Sequence, residues 1–121
     1  MKGKDHRAKM NRKDFSQLLD SIQEEERKVR EEGQKEYAHT DSNSFANFER
    51  IGLQLNLPRE QVLLVYALKH WDGIISWANG HKSQREDIRG RLKDLRMYLA
   101  LLWGMIEEDE TKQTRAATEI K

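Results

Sequence analysis

The chain has 121 residues with 22 basic and 21 acidic side chains, so its formal net charge is only +1. This balance gives no overall field to attract nucleic acid, and the absence of cysteine excludes disulfides, thiolate metal sites and cysteine nucleophiles. No apolar run approaches the ~18 residues that a membrane span needs, and no signal-peptide pattern is present. The single proline and the few β-branched residues predict a small all-α protein, and we expect it in the cytoplasm.

The chain divides into three predicted segments. Residues 1–13 are rich in basic side chains and poor in apolar ones, so we expect a flexible basic arm there. Residues 14–109 are predicted to form a single domain, a compact bundle of about four helices, and residues 110–121 a flexible polar tail. The first helix is expected to run from Asp14 to near Gly33, because apolar residues recur there at helical spacing.

Three further helices are predicted downstream. Capping-type residues at 37–44 precede a short second helix that ends at Asn56-Leu57-Pro58. Pro58 suits the first turn of a third helix, which is expected to continue to about Asn79-Gly80. Ser83-Gln84-Arg85-Glu86 is a capping box and predicts the start of a fourth helix with a regular a/d heptad pattern. The heptad residues are Ile88, Leu92, Leu95, Leu99, Leu102 and Ile106.

The third helix is apolar around most of its circumference. Such a helix is either central in a bundle or in contact with another subunit, and we expect a homo-oligomer. Lys69 and Asp72 share one of its stripes with apolar neighbours, a setting in which a charge is costly unless it is paired or used. The alternative to a ligand-binding role is an internal Lys69–Asp72 ion pair. His70 is likewise either a satisfied structural histidine or a functional group.

The fourth helix carries two groups of polar residues. Arg91, Asp94 and Tyr98 lie on a line that continues into apolar positions, so a pocket could open at the boundary of the core. Arg85 and Arg89 are one turn apart on another face, a spacing that suits phosphate oxygens and equally a salt-bridged exposed face. Gly90, also in this helix, indicates close approach by another backbone or by a ligand.

No complete enzyme signature is present: there is no Gly-rich phosphate loop, His-Glu-x-x-His zinc helix or serine elbow. The polar residues instead form a set suited to an anionic polar ligand, and we assign no catalytic residue, metal ligand or cofactor. The candidate ligand-binding residues are Asn43, Asn47, Lys69, His70, Asp72, Arg85, Arg89, Arg91, Asp94 and Tyr98.

Two motifs carry a family resemblance. The first is Lys69-His70-x-Asp72-x-Ile74, and the second is Ser83-x-x-Glu86-Asp87-Ile88-x-Gly90-Arg91-Leu92-x-Asp94-Leu95-x-x-Tyr98-Leu99. Together they resemble small phage and prophage helical proteins of the nucleotide-modification-associated type. The likeness covers roughly residues 35–107 and includes Asn43-x-Phe45-x-Asn47-Phe48 and Tyr37-x-His39, which adds Tyr37 and His39 to the candidate set. It implies a nucleotide ligand and a phage setting in the host cytoplasm, with a role in nucleotide metabolism or in capturing a host defence signal.

The last helix is also similar to that of MazG-like all-α nucleotide pyrophosphohydrolases. Those enzymes bind magnesium through Glu-x-x-Glu on one helix and Glu-x-x-Asp on the next, because the diphosphate must be neutralised before water attacks. Here the central helix carries Lys69-His70-Trp71-Asp72, and neither Glu86 nor Asp87 stands at Glu-x-x-Asp spacing from Asp94. Lysine and arginine can take the place of the metal, which favours binding without hydrolysis.

We therefore expect noncatalytic binding of a nucleotide or a nucleotide-derived phosphate ligand. One alternative is a divergent nucleotide pyrophosphohydrolase in which Asp72, Glu86, Asp87 and Asp94 hold magnesium, the only reading that needs a cofactor. The other is a protein-interaction module with no small-molecule ligand, in which the apolar circumference of the third helix is simply an interface.

Overall fold

The computed structural model describes residues 9–36, 43–81 and 87–120. In these ranges the chain forms four helices and no strand, which confirms the predicted all-α class. The helices are α1 (Arg12–Glu36), α2 (Ala46–Leu55), α3 (Arg59–Ala78) and α4 (Ile88–Ile120).

The chain separates into two compact units, Met1–Ser42 with α1 and Asn43–Lys121 with the other three helices. The predicted extent of one domain, 14–109, stays a prediction. Helix α4 continues to Ile120, so the segment expected to be a polar tail is helical over most of its length. Among the described residues no helix is both long and apolar enough to cross a membrane.

Side-chain caps determine where two of the helices start. Asn11 Oδ1 accepts a hydrogen bond from the Asp14 N–H at 2.8 Å, and Asp14 Oδ2 accepts one from the Asn11 N–H at 3.3 Å. This reciprocal cap starts α1 at Arg12, two residues before the predicted position. At α4, Asp87 Oδ1 accepts from the Arg89 N–H at 2.9 Å. The predicted capping box at 83–86 lies outside the described residues, and Asp87 is the cap that the structure places at α4.

A tight turn joins α2 to α3. Asn56 adopts the left-handed conformation with φ 58°, and the Leu57 N–H donates to the Gly52 carbonyl at 2.9 Å, which closes the end of α2. A Cβ at Gly52 would lie 2.6 Å from the Leu57 oxygen, so only glycine fits there. The Pro58 carbonyl then accepts the first hydrogen bonds of α3, from Gln61 and Val62.

Helices α3 and α4 form an antiparallel pair, and α2 covers one side of it. The core is small. Leu63 and Met105 are fully buried, and the other buried core residues are Phe45, Phe48, Val62 and Ala67. The ring of Phe48 meets those of Tyr66 and Tyr98 edge to face, with centroids 5.7 and 6.4 Å away.

Arg59 ties the three helices of this unit together. Its guanidinium donates to Glu49 on α2 at 2.7 Å, and to Glu108 and Asp109 on α4 at 2.8 and 2.9 Å. The group also lies 5.1 Å from the centre of the Phe45 ring, within cation–π range. Only 11% of the Arg59 side chain is exposed, whereas Glu49, Glu108 and Asp109 are 36–44% exposed, so the ion pairs are partly shielded from water.

Within the unit of α2, α3 and α4, helix α3 is not surrounded by the other two helices. Val62, Leu63 and Ala67 are buried, whereas Leu64 and Leu68 are 42% and 55% exposed. Of the two explanations for its apolar circumference, a central position in a bundle is not found within this unit.

Candidate functional site

His70 on α3 and Asp94 on α4 face each other across the helix pair. His70 Nδ1 lies 3.7 Å from Asp94 Oδ2, close enough for an ion pair when the imidazole is protonated but too far for a hydrogen bond. Nδ1 is buried and has no hydrogen-bond partner. Because the His70 side chain is 15% exposed and that of Asp94 is 56% exposed, the pair lies at the edge of the helix interface.

Two tyrosines line the same region. The His70 ring lies 5.6 Å from that of Tyr98, which in turn meets Tyr66 edge to face at 6.2 Å. Burial, with added repulsion from the Asp94 carboxylate, raises the pKa of the Tyr98 phenol above its usual value. The phenol therefore remains a neutral hydrogen-bond donor throughout the physiological range.

Arg91 packs directly on the backbone of α3. A Cβ built on Gly73 would lie 2.5 Å from Arg91 Cζ and Nε, so the guanidinium occupies the space that any other residue would fill. This places a permanent cation one helical turn from Asp94, beside the turn of α3 that carries His70. The sequence pattern did not point to Gly73 or Tyr66, since neither carries a charge or belongs to a recognisable motif.

These contacts bring together four of the predicted site residues, His70, Arg91, Asp94 and Tyr98. We call this set the α3–α4 cluster.

Lys69 and Asp72 do not belong to the α3–α4 cluster. Both side chains are exposed, so the prediction that they lie in a buried apolar setting is wrong. Their apolar neighbours in sequence lie on surfaces that the described residues leave open. Lys69 lies one turn from Gly73 on α3, and its side chain is open to solvent.

Arg89 has the geometry of a salt-bridged exposed residue. Its Nη1 lies 3.2 Å from Asp87 Oδ1, and 77% of its side chain is exposed. The hydrogen bond from the Arg89 backbone, followed by that from its side chain, lowers the pKa of Asp87. Arg85, the predicted second member of this pair, lies outside the described residues.

The predicted residues from the upstream segment have other surroundings. Asn43 lies in the turn before α2, where its Oδ1 accepts from the Phe45 N–H at 3.0 Å and its amide donates to Glu49 at 2.8 Å. Together with the hydrogen bond from Arg59, this bond lowers the pKa of Glu49. Asn47 is exposed on α2. Tyr37 and His39 lie outside the described residues.

The carboxylates of the enzyme alternative have separate positions where they are described. Asp72 is exposed on α3, Asp87 caps α4, and Asp94 faces His70. Glu86 lies outside the described ranges. Within those ranges no group of three or more histidine and carboxylate side chains could hold a metal ion.

A shallow depression of about 640 Å³ lies elsewhere, at the turn between α2 and α3. Two charged side chains, Glu49 and Arg59, border it, and they are paired with each other. The depression is therefore bordered by a charge pair, whereas four of the predicted site residues meet at the α3–α4 cluster, which is the better candidate site.

Comparison of the chain with protein-family models, with curated proteins and with solved structures finds no match. The resemblance to phage and MazG-like proteins stays a prediction, and the chemistry of the cluster rests on its own residues.

Proposed function

We propose that the chain binds a nucleotide or a nucleotide-derived phosphate ligand at the α3–α4 cluster and does not hydrolyse it. The observation that carries this proposal is the convergence of His70, Arg91, Asp94 and Tyr98 on facing turns of two helices. A cation, a carboxylate, an imidazole and a neutral phenol within one region match the mixed polar and aromatic character of a nucleotide.

Each group has a role that follows from its chemistry. Arg91 supplies a permanent positive charge with a planar set of donors, which suits phosphate oxygens. Tyr66 and Tyr98 offer aromatic surface on which a base can stack. The Asp94 carboxylate is mostly exposed and can accept hydrogen bonds from a sugar hydroxyl or an exocyclic amino group. Lys69, exposed on the same helix as His70, would add a second positive charge for the phosphate.

His70 gives this region an unsatisfied polar atom. A buried donor or acceptor without a partner costs about 1–3 kcal/mol, and most buried polar groups in proteins are paired. The imidazole Nδ1 has no such bond. A ligand that reorients the ring or draws Asp94 closer would relieve this cost, which supports the cluster as a binding region.

The positions of the carboxylates support binding without hydrolysis. Magnesium-dependent hydrolysis of a diphosphate needs several carboxylates around one ion. Asp72 and Asp87 are both directed to other parts of the surface, and Arg91 neutralises phosphate charge in place of a metal.

We also propose that the chain assembles with copies of itself, because many large apolar side chains of α3 and α4 are exposed. A phage setting, action in the host cytoplasm and capture of a host defence signal belong to the same proposal and rest on the sequence resemblance alone.

The direct test is an inventory of co-purified small molecules. The protein is purified, heated to unfold it, and the released fraction is analysed by mass spectrometry beside the matched Arg91→Ala variant. We expect a phosphate-bearing nucleotide from the unchanged protein and much less from the variant. Equal recovery of one nucleotide from both proteins would place binding away from Arg91. If no nucleotide is released, and none added during purification is retained, the proposal is overturned.

A further inference from the structure

Besides Val65 and Tyr66, eight large apolar side chains of α3 and α4 are exposed, each between 42% and 69%. They form two lines, one on each helix, which together we call the open face. The line on α3 is Leu64, Leu68, Trp71 and Ile75, and the line on α4 is Leu92, Leu99, Trp103 and Ile106.

Both lines lie on the same side of the helix pair. On α3 each of the first three residues directly follows a residue at the helix interface, as Leu64 follows Leu63. On α4, Leu99 follows Tyr98 and Ile106 follows the buried Met105 in the same way. Successive side chains of a helix point 100° apart. In two antiparallel helices, the residue that follows an interface residue on each helix therefore points to the same side of the pair.

Helix α2 covers the opposite side. The residues of α3 and α4 that α2 contacts stand one position before residues of the α3–α4 interface. Val62 precedes Leu63, and Gly104 precedes Met105. The Phe45 ring lies 3.1 Å from where a Cβ of Gly104 would be. None of the other described helices of this unit covers the open face.

The open face has the spacing of a coiled-coil seam. The α3 residues are separated by four, three and four positions. On α4, Leu92, Leu99 and Ile106 are a-type residues, and the d-type residues between them, Leu95 and Leu102, are partly buried. An antiparallel helix pair with heptad seams on one side is one half of an antiparallel four-helix bundle.

The outer edges of the open face identify its partner. Residues that follow d positions flank a seam, and these are Val65 and Asp72 on α3 and Arg96 and Trp103 on α4. The contacts of His70 with Tyr98 and with Asp94 set the register of the pair to within about one helical turn. In that register Asp72 and Arg96 lie at about the same level on opposite outer edges, and Val65 and Trp103 lie at another level in the same way.

We infer that the open face is the interface of a homodimer in which α3 of one copy packs against α4 of the other. Rotation about a two-fold axis parallel to the helices leaves the position of each residue along the helix axis unchanged. Asp72 then lies beside Arg96 of the second copy, and Val65 lies beside Trp103 of the second copy. Each pairing occurs twice, as an isologous interface requires. The first pairing joins an acidic to a basic residue, and the second joins two apolar residues. Such complementarity of charge and polarity is expected of a surface that binds a second copy of itself.

This inference rests on the proposed self-association and is independent of the proposed ligand. Its first test is the mass of the protein in solution, measured by light scattering at micromolar concentration. We expect about twice the chain mass of 14.3 kDa for the unchanged protein and the monomer mass for Trp103→Glu. The matched control is Leu53→Glu on α2, where an even more exposed leucine (85%) lies away from the open face and should leave the dimer intact. Circular dichroism checks that both variants remain helical.

A monomeric unchanged protein would overturn the inference and the self-association together, and would leave the face to another helical partner or to α1. An oligomer that is unaffected by Trp103→Glu, or one that Leu53→Glu disrupts in its place, would overturn the interface alone.

The second test exchanges the edge charges. Asp72→Arg and Arg96→Asp should each weaken dimerisation about tenfold or more, because each places like charges side by side across the interface. The double variant should return the dissociation constant to within about threefold of the unchanged value, since the pair is restored with reversed polarity. A double variant that is as weak as the single ones would overturn the proposed pairing of α3 with α4 of the second copy.

Discussion

The guanidinium of Arg91 lies against the backbone of Gly73, with Cζ only 2.5 Å from where a Cβ on that glycine would stand. The glycine thus creates the space in which α4 holds a cation against α3. This relationship links a residue without any side chain to the electrostatics of the α3–α4 cluster.

Replacing Gly73 with alanine should weaken ligand binding without unfolding the protein. The new methyl group must displace the end of the Arg91 side chain, which is flexible enough to move. Alanine also favours a helix over glycine by about 1 kcal/mol, so the melting temperature should hold or rise. Calorimetric titration with nucleoside triphosphates should show a loss of affinity of about tenfold, the equivalent of 1.4 kcal/mol.

Gly90→Ala is the matched control for this substitution. Apart from its chain neighbours and its own helix backbone, no described atom lies within 4 Å of the Gly90 Cβ position, so the close approach by another backbone that its sequence position indicated is not found in the described ranges. This variant should keep full affinity. If Gly73→Ala also kept it, the position of Arg91 would have no part in the site.

Arg59→Ala should destabilise the protein more than any exposed charge substitution. The change leaves Glu49, Glu108 and Asp109 near one another without their common cation. Breaking a buried pair costs about 3–5 kcal/mol, and the partial exposure of these carboxylates reduces this to roughly 2 kcal/mol. Thermal denaturation should show a fall in melting temperature on the order of 10 °C. Arg27→Ala on α1, where the ion pairs are solvent-exposed, should leave the melting curve unchanged.

Acid should remove a defined part of the stability. The pKa values of Glu49 and Asp87 are lowered in the folded state from the ordinary 4.5 and 3.8. A lowered folded-state pKa contributes stability that is present above the unfolded pKa and lost as the pH falls through the folded value. Denaturant unfolding should therefore show stability that declines as the pH falls below about 5. Glu49→Gln and Asp87→Asn should flatten this decline, and an unchanged slope in both variants would contradict the cited shifts.

Much of the fold follows from sequence pattern, whereas the directions of its surfaces do not. Heptad spacing predicts that α4 is a helix with an apolar line of a and d residues. It does not predict that this line is exposed and that another line of α4 faces α3. Tyr98 and Met105, one position before seam residues, fill the line that faces α3. Two adjacent lines of similar apolar character cannot be ranked by periodicity alone.

Long-range ion pairs explain most of what sequence analysis missed. Arg59 bonds to residues 49 and 50 positions away, which no local spacing rule detects. The cluster of His70, Asp94 and Tyr98 can be predicted from sequence, because polar residues at the interface of α3 and α4 meet when these two helices are antiparallel. Lys69 was misjudged because apolar neighbours in sequence need not bury a side chain.

Nucleoside triphosphates incubated with magnesium should remain intact. Asp72 and Asp87 do not converge with Asp94 in the described structure, so they cannot share a metal ion without rearrangement. Chromatography of the nucleotides before and after incubation measures this directly. Sustained release of pyrophosphate that disappears in Asp94→Asn would favour the enzyme alternative over binding.

Calorimetric titration of the full chain with nucleoside mono-, di- and triphosphates in the presence of a chelator tests ligand binding at the α3–α4 cluster most directly. We predict saturable binding that survives chelation, and a loss of affinity of about 10- to 100-fold in Arg91→Ala, as expected for a charge-assisted contact of ~1.5–3 kcal/mol. Arg50→Ala, an exposed arginine on α2, should bind as the unchanged protein does. Absence of binding to every nucleotide tested, or equal affinity in Arg91→Ala, would contradict the proposed site.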